Sequence, residues 1–245
     1  MKVTIFMPCY NEEILLPHTI RHYRKRLPSC DFVIYDNYST DNSKELAESL
    51  GCKVLCWNTW GMIDDIRLRE LKNNCWKNVE TGWIVVCDMD EWLCLDEHSL
   101  EKEDKEGSTI LETFGVDVIG NSKSTYLNDI SVHGLRMAIK NKSMNKRICF
   151  KAGCLKDINY DCGAHSCSPI GDVNWGGAYL IKHMNWLGLP YKIKHNRMRY
   201  DRSHEMRKMG LAIHYQEHDE KIESKFTQLQ SKAVNISEFC DCFED

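Results

Sequence analysis

The chain has 245 residues, 42% of them hydrophobic and 28% charged, a globular composition that excludes wholesale disorder. Its formal net charge of −4 argues against a general nucleic-acid-binding protein, which needs a basic surface. No stretch approaches the roughly 20 consecutive apolar residues that a membrane-spanning helix requires. The 13 cysteines include no C-x-x-C pair, so we expect mostly reduced core thiols in a cytoplasmic protein.

Short apolar runs alternate with amphipathic stretches through the first third of the chain. The predicted strands cover 3–7, 31–35, 53–57 and 83–87, and the predicted helices between them cover 12–26, 44–50 and 62–79. This alternation is typical of a parallel sheet with right-handed crossovers, so the predicted class is α/β. Ligands of such sheets bind at the carboxyl ends of the strands.

The rest of the chain is less periodic. We predict a solvated helix or loop at 101–107, strands at 147–151 and 178–181, a long loop at 161–177 and a basic helical stretch at 190–210. The acidic end, 238–245, is expected to be peripheral. Since there is no repeat, low-complexity tract or linker, we predict one domain over 1–245.

The strongest local signal follows the apolar run at 83–87, where the sequence reads Asp88-Met89-Asp90-Glu91. Two carboxylates at this spacing after a buried strand can turn toward one point and hold Mg²⁺ or Mn²⁺ against a diphosphate. Two other interpretations of this segment remain open. One is a solvated acidic turn, and the other is the haloacid-dehalogenase pattern, although Trp92 stands where that pattern has Thr or Val.

Three motifs in order resemble those of nucleotide-sugar glycosyltransferases of the family-two type. They are the strand-to-loop segment 7–13 (MPCYNEE), the second-strand segment 35–41 (YDNYSTD) and the Asp-x-Asp-Glu-aromatic segment 87–92 (CDMDEW). The segments 163–166 (GAHS), 182–188 (KHMNWLG) and 212–215 (AIHY) resemble a branch common in bacterial polysaccharide clusters and large DNA viruses. Two residues depart from that branch, Met184 at a usual aromatic position and Asp157 at a usual Glu.

The resemblance implies a GT-A fold, a three-layer α/β sandwich with a mostly parallel central sheet. It further implies a nucleotide-binding half at 1–95, an acceptor half at 96–215 and a peripheral tail at 216–245. The implied reaction moves a sugar from a UDP, GDP or TDP donor to a hydroxyl of a glycan or glycoconjugate, with inversion. A nucleotidyltransferase, a haloacid-dehalogenase-like phosphatase and a degenerate sugar-nucleotide-binding scaffold are the alternatives.

The resemblance also assigns residues to roles. The nucleotide is expected to contact Pro8, Tyr10, Asn11, Glu12, Asp36, Arg67 and Asp88. The expected ligands of Mn²⁺ or Mg²⁺ are Asp88, Asp90, His183 and His165. Alternatively, Glu12 caps the following helix and Arg67 forms a surface pair.

Inverting transfer needs a base within hydrogen-bond reach of the acceptor hydroxyl. Asp157 is the first candidate for that base, and Asp161 and Glu91 are its competitors. A turn hydrogen bond from a loop carboxylate is an equally ordinary role for Asp157.

Overall fold

A computed structural model describes residues 1–121 and 132–239 of the chain. Its strands are β1 (Val3–Cys9), β2 (Cys30–Asp36), β3 (Lys53–Cys56), β4 (Trp83–Val86), β5 (Glu91–Cys94), β6 (Ile110–Asn121), β7 (Met137–Lys140), β8 (Cys149–Lys151), β9 (Leu155–Asp157), β10 (Ile170–Gly171), β11 (Trp175–Gly188) and β12 (Val234–Asn235). Its helices are α1 (Leu16–Arg26), α2 (Ser43–Ser49), α3 (Asp65–Asn74), α4 (Glu97–Glu106), α5 (Leu189–Arg202), α6 (His204–Lys208) and α7 (Asp219–Lys232).

One sheet carries strands from both halves of the chain, in the order β12-β7-β6-β8-β4-β1-β2-β3. The neighbours β4, β1, β2 and β3 are parallel, as the alternation of strands and helices predicts. The antiparallel strand β8 joins this block to β6. The predicted α/β class with parallel strands at its centre is therefore confirmed, and the second half adds antiparallel strands to it.

Helices cover both faces of the parallel block. Alternate residues of a strand point to opposite faces, and Val3, Ile5 and Met7 of β1 pack in a core with residues of α1 and α2. Phe6, between them, packs in a second core with Trp76, which follows α3. The continuous apolar run of β4 is buried throughout because both faces of the strand are covered.

Two helices are shorter than their sequence patterns predict. The predicted helix at 12–26 begins only at Leu16, because the backbone N–H groups of Glu12 and Glu13 donate to Ser43 Oγ and Asp41 Oδ2 in a loop. The predicted helix at 62–79 begins at Asp65 and ends at Asn74, with the Asp64 side chain accepting from the N–H of Arg67 as its cap.

The second half differs more from the sequence prediction. The strand predicted at 178–181 is the 14-residue β11, which runs parallel to β6 and antiparallel to β5. The strand β6 has no counterpart in the sequence prediction, since its residues lack a clear alternation. The stretch predicted as a solvated helix or loop at 101–107 lies in α4 and its C-cap, and Glu103 within it is buried.

None of the helices in the described ranges is long and apolar enough to span a membrane. The described cysteines are free thiols, and Cys9, Cys87 and Cys149 belong to the buried core. Most of the acidic end predicted to be peripheral lies outside the described residues, which stop at 239.

Candidate functional site

A cleft of about 490 Å³ opens at the carboxyl ends of β1 and β4. The residues after β1 and β4 form one side, and α5 with the segment after it forms the other. Its lining includes Pro8, Tyr10, Glu12, Asp64, Asp65, Asp88, Asp90, Glu91, Lys146, Cys162, Gly163, His165, His183, Asn185, His195, Arg199, Arg202, His214 and Tyr215. The parallel topology thus places the polar ends of the strands in one depression.

Asp88 is held by two lysines from distant parts of the chain. Its Oδ1 lies 2.7 Å from Lys72 Nζ of α3, and its Oδ2 lies 3.8 Å from Lys146 Nζ. Burial opposes the charged carboxylate, but the two ammonium groups outweigh burial and lower the pKa of Asp88. Asp88 is therefore ionised and keeps a partly exposed face toward the cleft.

Glu91 stabilises the same turn from a buried position. Its Oε1 lies 2.6 Å from Lys146 Nζ, and its Oε2 accepts the backbone N–H of Asp88 at 3.0 Å. The residue is 2% exposed. Since both oxygens of Glu91 are engaged, its carboxylate fixes the turn of the Asp-x-Asp segment and is poorly placed to act as a base.

Asp90 and His183 face each other across the cleft floor. His183 Nε2 lies 3.5 Å from Asp90 Oδ2, and His183 Nδ1 lies 2.6 Å from Asp117 Oδ1. Burial opposes the imidazolium, but the carboxylates of Asp90 and Asp117 outweigh it and raise the pKa of His183 to about 9. Burial likewise opposes the Asp90 carboxylate, yet His183 and Arg199 lower the pKa of Asp90 well below its usual range.

The helix α5 brings cations to the same place. Arg199 Nη2 lies 3.5 Å from Asp90 Oδ2, and the guanidinium of Arg202 lies 3.5 Å above the ring of Tyr10. Arg202 also donates to the carbonyl of Gly61. The sequence prediction named this stretch only as basic. Positions 195, 199 and 202 share one helical face at i, i+4 and i+7, which is the signal that identifies them.

Asp36 lies at the end of β2, beside the end of β1. Its Oδ2 accepts the backbone N–H of Ser39 at 3.2 Å. Its Oδ1 is buried, and no described residue donates a hydrogen bond to it. A buried acceptor without a donor costs free energy. Asp36 is not one of the described residues that line the cleft, although its neighbour Asn37 is.

Three other residues expected to contact a nucleotide have different surroundings. Asn11 binds the neighbouring loop, where its Oδ1 accepts the N–H of Thr40 at 2.7 Å. Glu12 lines the cleft and its Oε1 lies 3.2 Å from His195 Nε2. Arg67 donates to the carbonyl of Asn58 and is not one of the described residues that line the cleft.

His165 reaches the cleft from the loop after β9. Its Nδ1 lies 2.7 Å from the carbonyl oxygen of Ser143. A carbonyl only accepts, so Nδ1 carries a proton, and in the neutral ring Nε2 is therefore the acceptor. Within the described chain no hydrogen bond or ion pair joins His165 to Asp88 or Asp90, whereas His183 contacts Asp90 directly.

The two remaining candidates for a base lie outside the described cleft lining. Asp157 ends β9, which pairs with β10, and its carboxylate forms an ion pair with Lys77. Asp161 accepts from the N–H and the hydroxyl of Ser166, and these bonds lower the pKa of Asp161. The sequence places both residues near His165 along the chain, but neither is among the described residues that line the cleft, and their carboxylates bind Lys77 and Ser166.

The described residues contain no group of three or more His, Cys, Asp or Glu side chains already arranged to hold a metal. Asp90 and His183 nevertheless fit a divalent cation. A metal-binding histidine usually donates its other ring nitrogen to a carboxylate, and His183 has Asp117 in that place. Asp117 lies on β6, which sequence reasoning did not predict.

The comparison with protein families gives a match within the first part of the chain. Residues 4–102 match the model of glycosyl transferase family 2. The family-two resemblance of the three motifs is therefore confirmed over this segment. The narrower resemblance of the second half to a branch found in polysaccharide clusters and large DNA viruses stays a prediction.

Among curated proteins, the chain is similar to the protein RfbJ of Shigella flexneri, with 31% identity over 52 residues. That match covers 21% of this chain and 40% of RfbJ. The chain therefore spans well under two thirds of the length of this relative.

Two solved structures show lower similarity. For TarS of S. aureus the identity is 14% and the TM-score 0.48, over 95% of this chain and 44% of TarS. For the Mycobacterium tuberculosis glucosyl-3-phosphoglycerate synthase with Mn²⁺ and UDP, the identity is 18% and the TM-score 0.30, over 46% of this chain and 44% of the synthase.

Proposed function

We propose that the protein is a metal-dependent glycosyltransferase with a GT-A fold, which moves a sugar from a nucleoside-diphosphate donor to a hydroxyl of a glycan or glycoconjugate with inversion. The observation that carries this proposal is the meeting in one cleft of Asp88 and Asp90, from the segment that matches family 2, with His183 from the second half of the chain. The UDP, GDP and TDP forms are the donor classes to test.

Different residues of this region are assigned to different parts of the donor. Asp36, whose Oδ1 has no described donor and which precedes the lining residue Asn37, is the residue that we assign to the base or ribose. Pro8 and Tyr10 line the same cleft and are assigned to the nucleotide. Lys146, Arg199 and Arg202 line the same cleft and offset the charge of the diphosphate. Buried cations at a diphosphate act strongly because the surrounding protein screens them little.

Asp90 and His183 are the residues that would hold Mn²⁺ or Mg²⁺. The hydrogen bond from His183 Nδ1 to Asp117 fixes the ring and leaves Nε2 directed to Asp90. A bound divalent cation supplies positive charge to the leaving diphosphate as a Lewis acid. Asp88, already held by Lys72 and Lys146, then faces the donor as an oriented carboxylate.

His165 is the group that we assign to the acceptor proton. The acceptor oxygen attacks the anomeric carbon, the bond from that carbon to the diphosphate oxygen breaks, and the hydroxyl proton passes to His165 Nε2. The hydrogen bond from Nδ1 to Ser143 sets the tautomer in which Nε2 is an acceptor. Asp157, Asp161 and Glu91 are each engaged by other groups.

A binding experiment tests the donor site. Wild-type protein is heated with UDP, GDP or TDP sugars, with and without Mn²⁺, beside the variants Asp90→Asn, Asp117→Asn and Asp31→Asn. Asp31 is an exposed carboxylate at the other end of β2 and serves as the matched control. Binding at a hundred times the Kd raises the Tm by about 5–10 °C for a chain of this size.

We expect one nucleotide class to raise the Tm in a Mn²⁺-dependent way in wild type and Asp31→Asn. Asp90→Asn loses the effect, and Asp117→Asn needs roughly 10–100-fold more Mn²⁺. No rise with any nucleotide sugar overturns the donor site. Release of a nucleoside monophosphate, rather than a diphosphate, on prolonged incubation of the donor overturns sugar transfer.

A further inference from the structure

Asn185 lines the donor cleft beside the residues that would hold the metal. It lies on β11 two residues after His183, and both side chains belong to the cleft lining. Residues two apart on a strand share a face and are about 7 Å apart. The N–H of Met184, between them, donates to the carbonyl of Asp90 at 2.7 Å. This segment of β11 is therefore held against the Asp-x-Asp turn.

The side-chain amide of Asn185 is oriented by Lys192 of α5. Lys192 Nζ donates to Asn185 Oδ1 at 2.8 Å, and the same ammonium group lies 4.6 Å from the centre of the Trp186 ring. A protonated amine donates and does not accept, so the atom that faces it must be the amide oxygen and not the nitrogen. The amide therefore has one favoured orientation when Lys192 is charged.

The Nδ2 group of Asn185 is left to donate to a ligand. Within the described chain this nitrogen has no hydrogen-bond acceptor, whereas the amide oxygen is used. The residue is half-buried and lines the cleft. An amide whose oxygen is engaged presents its two N–H groups to the space beside it, and here that space is the cleft.

The charges around Lys192 favour an anion as the partner of those N–H groups. Burial, and then the charge of Arg199, lower the pKa of Lys192 to about 7, and Lys225 acts in the same direction against the carboxylates of Asp90 and Asp117. An anion bound nearby opposes this shift and stabilises the charged amine. The hydrogen bond from a charged amine polarises the amide and strengthens its N–H groups as donors to anionic oxygen.

The sheet order indicates which part of a nucleotide reaches Asn185. The residues that we assign to the nucleoside lie at the ends of β1 and β2, whereas β11 pairs with β5 and β6 on the other side of β4. The phosphate that is farther from the nucleoside is therefore the one nearer to β11.

We propose that Asn185 Nδ2 donates a hydrogen bond to the terminal phosphate of the bound nucleoside diphosphate, and that Lys192 positions this amide. The inference rests on the proposed function, which brings a diphosphate to Asp90 and His183. Asn185 is then a binding residue. Lys192 is a positioning residue, since it is not among the described residues that line the cleft.

Calorimetric titration with Mn²⁺ tests both roles by comparing UDP, GDP and TDP with their monophosphates. The variants are Asn185→Leu, Lys192→Met and the double variant of both. Asn78→Leu is the control for the amide, because Asn78 is exposed and is not one of the described residues that line the cleft. Lys194→Met is the control for the charge, because Lys194 is an exposed residue of the same helix.

We expect wild type and both controls to bind one nucleoside diphosphate with the same affinity. In Asn185→Leu and in Lys192→Met the Kd of that diphosphate rises by about tenfold, while the Kd of the monophosphate changes by less than about twofold. The double variant binds no more weakly than Asn185→Leu, because Lys192 acts through the amide.

The possible failures are distinguishable. Wild-type affinity for the diphosphate in Asn185→Leu, or an equal loss for diphosphate and monophosphate, overturns the assignment of Asn185 and leaves the proposed transfer intact. Losses that add in the double variant overturn the positioning role of Lys192. If wild type binds none of the nucleotides, the proposed function is overturned and this inference with it.

Discussion

The imidazole of His165 depends on a residue without a side chain. Gly163 has φ +82°, and a Cβ there would lie 2.7 Å from His165 Cδ2 and 2.8 Å from Nε2. Gly163→Ala must therefore displace the ring from Ser143 or strain the loop. We expect turnover of the donor to fall by about tenfold or more, while nucleotide binding stays near wild type.

Gly210 is the matched control because it also has a positive φ, +75°, but its added Cβ would meet nothing within 4 Å. Gly210→Ala carries the same kind of backbone strain, about 1 kcal/mol, without touching His165. The ¹⁵N shifts of the His165 ring and the donor turnover are the measurements. Equal loss of turnover in both variants would show that backbone strain, and not the imidazole, is the cause.

At this scale the sequence predicts the residues of a motif better than their partners. Asp88, Asp90, His165 and His183 line one cleft, as their motifs indicate. Lys72, Lys146 and Asp117 fix those groups, yet each comes from a distant segment and carries no local signal. The contacts of Asp157 are equally non-local, since its ion pair is with Lys77.

Among the elements, α4 is joined to β11 through one buried carboxylate. Glu103 Oε2 accepts from the Ser108 hydroxyl at 2.6 Å, and its Oε1 accepts from the Tyr179 hydroxyl at 2.6 Å and the Gly177 N–H at 3.1 Å. Burial opposes the carboxylate, but these donors outweigh burial and lower the pKa of Glu103. The charged form therefore stabilises the fold.

Because the folded pKa of Glu103 is lowered, its contribution is complete above the unfolded value of 4.5 and is lost as the pH falls through the folded value. Glu103→Gln is expected to reduce the free energy of unfolding by about 1.5–3 kcal/mol at pH 7. The difference from wild type shrinks below pH 4.5. Urea unfolding at neutral and acid pH measures both effects.

Glu101→Gln is the control, since Glu101 is an exposed residue of the same helix. It is expected to change the free energy of unfolding by no more than about 0.5 kcal/mol. A Glu103→Gln variant that keeps the full loss at acid pH would mean that packing, rather than the carboxylate charge, joins α4 to β11.

The elements of the parallel block could be predicted because each has its own period and breakers, as at Gly51 after α2. The strands of the second half could not. The strand β11 includes Gly176 and Gly177, and its pairing with both β5 and β6 gives it a mixed environment without regular alternation. The sequence predicts a solvated Glu103 because α4 is rich in charged residues. The tertiary fold nevertheless buries the Glu103 side chain.

On the scale of the whole molecule, Arg202 is one of the residues through which the two halves meet across the cleft. This last residue of α5 lies 3.5 Å above the ring of Tyr10 and donates to the Gly61 carbonyl, and its own carbonyl accepts the Ile63 N–H at 2.9 Å. Burial lowers the pKa of Arg202 to about 10, which still leaves it charged at neutral pH. Arg202 thus holds α5 against the first half of the chain, together with the Glu12–His195 and Asp90–Arg199 contacts.

Arg207 offers a comparable interaction that does not cross the cleft. Its guanidinium lies 3.8 Å above the ring of Tyr200, and both residues belong to the α5–α6 region. Loss of a cation–π contact costs about 2 kcal/mol at a desolvated site and about 0.5–1 kcal/mol at an exposed one, such as the ring of Tyr200. We expect both Arg202→Gln and Arg207→Gln to lower the free energy of unfolding, with the larger loss in Arg202→Gln.

The two variants should differ in binding. Arg202→Gln frees the Tyr10 ring and the loop at Gly61, so it is expected to weaken binding of the preferred nucleoside diphosphate by about tenfold in calorimetric titration with Mn²⁺. Arg207→Gln leaves the cleft intact and keeps the wild-type affinity. Equal affinities in the two variants would show that α5 contributes stability alone, and that the donor is held by the first half of the chain.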